Sequence, residues 1–188
     1  MKMRLLASLA ALALTSVANA ATLPNGWHVA GSSPRDYDMG TAQAPNVRDG
    51  WQAFIHARPG ANGFGTLMQT IDATAYRGKR VRLTGALRTQ NADKAQMWMR
   101  IDGTSSKLLG FDNMDRHPLR GTSDWTPCSI VLDVPDAATA IAFGFLLDGK
   151  GGVDARPFKL DVVGNDVPTT GMDHPNLPPA PVNLGFEP

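Results

Sequence analysis

A chain of 188 residues with 18 basic and 17 acidic side chains, formal charge +1, is long enough for one domain with a real core. So even a balance gives no reason to expect nucleic acid or an anionic membrane as partner. A lone cysteine, Cys128, excludes an internal disulfide.

The first twenty residues read as an export signal. Lys2 and Arg4 form a positive start, Leu5 to Val17 an apolar stretch, and Ala18-Asn19-Ala20 an A-x-A cleavage site. The stretch is too short and too rich in small residues to span a bilayer, so no membrane span is expected. Release into a bacterial periplasm, or secretion, is the expected location. Cleavage leaves residues 21–188, with 16 basic side chains against 17 acidic ones. Glu187 is the sole glutamate; acidity carried by Asp favours turns and caps over helix interiors.

The mature chain opens with Gly26-Trp27 and a polar turn at Gly31-Ser32-Ser33-Pro34. Residues 50–57 (GWQAFIHA) alternate as a strand does, and Pro59 to Gly65 reads as a loop. Thr66 to Ile71 is a second strand, followed by a single helical turn capped by Asp72. Five more strands are expected at 80–89, 95–102, 128–134, 140–147 and 158–163, cut by turns rich in Gly, Asp and Asn. Short strands at this spacing, without an amphipathic helix, argue for an all-β sandwich or barrel.

Alternation assigns faces. Val81, Leu83 and Leu87 point to the core, as do Met97, Met99 and Ile101, and Cys128, Ile130, Leu132 and Val134. Cys128 is therefore expected to be a buried, inert thiol. The opposite face carries Arg88, Trp98 and Arg100, with Gln69 on a neighbouring strand. An indole that stacks a sugar ring beside guanidinium groups that bind hydroxyls makes this the candidate ligand face; a Trp98 that merely covers the sheet is the plainer alternative. Asp112 and Asn113 lie in a polar connection where recognition or simple turn formation are both open. Trp27 and Trp125 read as core plugs. The basic run Arg77, Lys79, Arg80 and Arg82 reads as a solvated strand edge, and Gly78-Lys79 and Gly149-Lys150 as turns.

No G-x-S-x-G, H-E-x-x-H or paired-cysteine motif is present. His28, His56, His117 and His174 lack metal-ligand spacing and read as hydrogen-bonding residues. The chain is therefore expected not to be an enzyme.

The motifs GFGTLMQTIDATAYRGKRVRLTGALRT, MWMRIDG, GFDNM, GTSDW, VLDVPDAATAIAFGFLLDGKG and KLDVVG follow one another after GWHVAGSSPRDYDMG. Together they resemble an exported bacterial domain of the galactose-binding-like jelly-roll type, related to carbohydrate-binding modules. The resemblance implies an antiparallel jelly-roll β-sandwich over residues 21–164, with a Pro-rich tail at 165–188. Relatives of this type commonly start with an Asn-x-x-Phe-Glu strand before the Gly-Trp pair. Here Asn183-Leu184-Gly185-Phe186-Glu187 stands at the other end, which suggests an edge strand at 182–187, placed in its own sandwich or exchanged in a strand-swapped dimer. Relatives also carry acidic residues before the last strand that hold a structural calcium. The residues left here for such an ion are Asp154 and Glu187, and Arg156 would repel it, so no cofactor or metal is expected.

These features point to an exported non-catalytic module that binds carbohydrate. The alternative is a periplasmic structural or protein-interaction role that uses the terminal strand. A hydrolase with an unrecognised site ranks below both. An export signal and the lack of a DNA-binding helix argue against control of transcription.

Overall fold

The computed structural model describes residues 22–44 and 50–171, together with Leu184. The expected export signal and nearly all of the expected terminal strand, Glu187 included, lie outside the described residues. Ten strands make up the fold: β1 (His28–Gly31), β2 (Tyr37–Gln43), β3 (Trp51–Ala57), β4 (Phe64–Asp72), β5 (Lys79–Gly103), β6 (Leu108–Asp112), β7 (Leu119–Val134), β8 (Ala138–Asp148), β9 (Gly152–Ala155) and β10 (Lys159–Val163). Three short 3-10 turns complete it, at Pro34–Asp36, Thr74–Tyr76 and Thr104–Ser106, and no α-helix occurs among the described residues. The turn expected after Ile71 is the second of these, with Asp72 Oδ1 accepting the Thr74 N–H at 2.7 Å.

All pairings are antiparallel, and the strands form a jelly-roll sandwich of two facing sheets. The first runs β1-β4-β8 and then the C-terminal half of β5, with β6 beyond. The second runs β2-β3 to β9 and β10, then the N-terminal half of β5 and the C-terminal half of β7. Strand β5 thus belongs to both sheets. Where a turn is expected between residues 89 and 95, the strand instead rounds a corner through successive register shifts, with Asn91 at φ 49°. Such bulges add residues to one strand and bend it without ending the ladder. This explains why two separate sequence segments become one strand of 25 residues.

The core lies between the sheets and contains the side chains that alternation selects: Val81, Leu83, Leu87, Met97, Met99, Ile101, Cys128, Ile130, Leu132 and Val134, all buried. From β8, Ile141, Phe143, Phe145 and Leu147 complete the layer. Contact between the sheets is close: a Cβ added at Gly65 on β4 would stand 2.7 Å from the Tyr37 ring on β2. Gly85 leaves a gap in the β5 apolar row that the Phe158 ring fills.

Of the basic run, Arg77 and Lys79 are exposed to solvent as expected, whereas Arg80 and Arg82 are half-buried on a strand paired on both sides. Arg80 forms a two-point pair with Asp133 (2.7 and 3.0 Å) and donates to the carbonyls of Asn165 and Val167. Arg77 donates to Ala138 O, and Arg82 buries its Nε without a partner. The chain past Gly164 therefore stays on the sandwich, and Thr170 joins the edge of β7 through Val131.

Candidate functional site

The corner in β5 decides which polar residues can meet. Arg88 precedes it and sits on the outside of the second sheet; Trp98 and Arg100 follow it and sit on the outside of the first. The single ligand face expected from alternation is therefore divided between the two sheets. Trp98 is also not a platform. It is only 8% exposed, and its Nε1–H donates to Thr66 Oγ1 at 2.9 Å, while Thr66 donates onward to Phe145 O. The indole lies across the β8 strand at Gly144, where no side chain opposes it. An amphipathic ring buried with its N–H satisfied is a packing element, which corrects the stacking role.

Other candidates take local roles. Arg100 pairs with Asp102 two residues along the same strand face, at 2.9 Å. Asp112 Oδ1 accepts the Met114 N–H and Asn113 Oδ1 the Asp115 N–H, so both build the turn after β6. Gln69 faces inward, donating to Gly26 O at 3.4 Å and lining a space between the sheets. Gly78 and Gly149, at φ 69° and 81°, sit in turns as expected. Trp27 packs edge-on against Phe143 and Phe158 beside the core, as a plug does.

Arg88 gathers the more informative cluster. On the outside of the second sheet it donates through Nη2 to Asp154 Oδ2 at 2.6 Å, and His56 Nε2 lies 3.5 Å from Asp154 Oδ1. Three strands supply these residues: β5, β9 and β3. Burial pushes the Asp154 carboxyl up, but the hydrogen bonds and charge of His56 and Arg88 outweigh it and hold the group below the usual carboxylate range. A carboxylate already satisfied by a guanidinium is a poor calcium ligand, so Asp154 does not suit the ion considered for it. Among the described residues no group of three His, Cys, Asp or Glu side chains is arranged to hold a metal.

Around this pair opens a concavity of about 470 Å³ lined by His56, Arg88, Thr89, Gln90, Thr122, Ser123, Asp124 and Asp154. At its edge Trp125 receives two guanidinium groups, Arg88 at 4.8 Å and Arg156 at 4.5 Å from the ring centroid. Trp125 is thus half-buried on the outer surface, not a core plug, and its cation–π contacts hold both arginines in place. The volume falls within the range of small-ligand sites, about 300–1,000 Å³. His56, Asp154 and Trp125 lie far apart in sequence, and nothing local signals that they converge. The alternation of residues 50–57 does place His56 on the outer side, which is the one hint available.

A second space, about 540 Å³, lies between the sheets where β3 and β10 part. Trp27, Phe143 and Phe158 wall it, Gln52 and Gln69 line it, and Trp51 stands 58% exposed at its lip.

Comparison with solved structures identifies the class of fold. The chain is similar to the CBM22-1 xylan-binding domain of Paenibacillus barcinonensis Xyn10C (TM-score 0.55, 9% identity, covering 77% of this chain and 90% of that one). It is also similar to a CBM4 structure (TM-score 0.51, 17% identity, 78% and 93% covered). The enzymatically active domain of bacteriophage CBA120 tailspike protein 4 matches at a TM-score of 0.58 and 11% identity, over 74% of this chain but 20% of that one. These likenesses establish a jelly-roll fold of the carbohydrate-binding-module kind. In sequence, the chain is 36% identical over 167 residues to the uncharacterized HTH-type transcriptional regulator YbfP of Bacillus subtilis. The match takes in 86% of this chain, which spans 56% of that relative's length. No family profile matches the chain.

Proposed function

We propose that this protein is an exported, non-catalytic module that binds carbohydrate on the outside of its second sheet, at the concavity between Arg88, Asp154, His56 and Trp125. The observation that carries this reading is the convergence of an ordered guanidinium–carboxylate pair, an imidazole and several hydroxyls on one open space beside an indole. A sugar presents a rim of hydroxyls that both donate and accept, and a fixed Arg–Asp pair offers both functions without reorganisation. The fold supports the reading, since the CBM22 neighbour is by name a xylan-binding domain.

The carboxylates beside the concavity support a non-catalytic reading. Glycoside hydrolysis needs one carboxyl kept protonated as an acid. Asp154 is instead held ionised, and Asp124 spends Oδ1 on the Trp125 N–H at 2.7 Å. The Bacillus subtilis relative favours a second reading, in which the same ligand site serves as the sensing part of a regulatory system.

The test is a glycan panel, soluble xylan included, probed with the mature protein alongside Trp125→Ala and Arg88→Lys. Binding by the native protein, lost at least tenfold in both variants with unfolding unchanged in cooperativity, is expected. Binding that survives both substitutions would refute the assignment of the site. Release of reducing ends from any bound glycan would overturn the non-catalytic role.

A further inference from the structure

Strand β10 pairs with β5 along one edge. On its other side β3 follows β9 only from His56 to Ala53, opposite Gly152 to Ala155. Beyond Arg156-Pro157, no strand among the described residues pairs with the second edge of β10. The backbone N–H and C=O groups along such an edge are a template for a further strand. Apolar side chains are left open there as well: Val162 is 52% exposed, and Trp51, where β3 begins, is 58% exposed. The register with β5 assigns the faces of β10. Leu160 and Val162 lie opposite the buried Leu83 and Val81 and take the core side. Lys159 and Asp161 lie opposite Thr84 and Arg82 and take the outer side.

We propose that this edge docks the same edge of a second copy of the chain, antiparallel about a two-fold axis, so that the second sheets of two copies become one. The charge pattern selects both the occupant and its register. With Leu160 on the axis, Lys159 of each copy faces Asp161 of the other, and Phe158 faces Val162. Two opposite-charge pairs then form on the outer side, while Phe158 covers the exposed Val162 on the core side. Moving the axis to Lys159 or to Asp161 sets like charges opposite each other. A shift by one residue turns the apolar side chains onto the polar face. In the single chain Lys159 Nζ lies 3.0 Å from its own Asp161 Oδ1, and the lysine side chain is 75% exposed, so a second carboxylate has room to approach. A lysine alone on an edge deters pairing. Lysine and aspartate two residues apart instead match their own antiparallel copy. The axis crosses the joined sheet, so both Arg88 concavities open on one side of it. The docking itself rests on the edge and its charges and does not depend on the carbohydrate reading.

The experiment compares the full mature chain with Lys159→Asp, Asp161→Lys and the double swap Lys159→Asp/Asp161→Lys, by analytical ultracentrifugation over a concentration series up to about 1 mM. Circular dichroism confirms that each is folded. A native chain that dimerises is expected, with each single variant weaker by about tenfold or more, because each sets two pairs of like charges across the axis. An equimolar mixture of the two single variants should recover native affinity, since every like-charge pair of either homodimer becomes an opposite-charge pair in the mixed one. The double swap should recover it too. Amide exchange across residues 158–162 should slow as the native chain dimerises. A native chain that stays monomeric throughout, or single variants that dimerise as the native chain does, overturns the proposal. So does a mixture that associates no better than its two components alone, since the contact then does not pair Lys159 with Asp161.

Discussion

Replacing Trp98 distinguishes a packing indole from a binding one. The side chain is 8% exposed, and burying an aromatic of this size removes about 200 Å² from water, worth about 5 kcal/mol at about 25 cal/mol per Å². That figure is an upper bound, because a compact unfolded chain already hides part of the area. Trp98→Ala is therefore expected to cost about 3–5 kcal/mol, in line with other buried Trp and Phe truncations. For a domain of this length it lowers Tm by about 6–20 °C. Trp98→Phe keeps most of the buried ring and removes the N–H held by Thr66 Oγ1; since Thr66 still donates to Phe145 O, its cost is about 1 kcal/mol. Chemical denaturation of the three proteins measures both values. A Trp98→Ala variant within about 1 kcal/mol of the native protein would refute the packing role. So would a Trp98→Phe variant of native stability that no longer binds a glycan.

Two further predictions follow from ionisation. Asp154 has its carboxyl held below its value near 4 in the unfolded chain. The stability contributed by its pairing with Arg88 and His56 is thus fully present above about pH 4 and is lost as pH falls through the folded-state value. Asp154→Asn should cost about 1–2 kcal/mol at neutral pH, discounted from the fully buried case because the Arg88 side chain is 37% exposed, and should flatten the acid limb of a stability–pH curve. An unchanged acid limb would show that the pair does not shape it. Burial pushes the Cys128 thiol up to about 11. At about pH 8 the folded protein should resist an aromatic disulfide reagent and react in full once unfolded, because the thiolate is the attacking form. Rapid labelling of the folded protein would contradict that burial.

Much of the sandwich was legible because burial in a sheet imposes a period of two. Val81, Leu83 and Leu87, then Met97, Met99 and Ile101, then Cys128 to Val134, all fall on the core side that alternation assigns. The same logic failed for Trp98. A period of two says which side of a strand a residue takes but not what covers that side, and Thr66, two strands away, was beyond its reach. Composition was right that Arg77 and Lys79 meet water but not for Arg80, which Asp133 and the carbonyls of Asn165 and Val167 hold.

The candidate site shows the division most clearly. Arg88 was marked by its face, yet its partner Asp154 is 66 residues away and was read as a remnant of a calcium site. Trp125 read as a plug because a tryptophan beside a strand start carries the same local pattern whether it turns inward or outward. The sequence alone determined an all-β chain, its core-facing rows and most of its turns, since these depend on neighbours one to four residues apart. The tertiary structure decided that one strand serves both sheets, that Trp98 is sealed, and that Arg88, Asp154 and His56 share one concavity with Trp125 against Arg88. Those outcomes depend on bulges that turn a strand round a corner and on pairings between distant segments, and no local spacing encodes either.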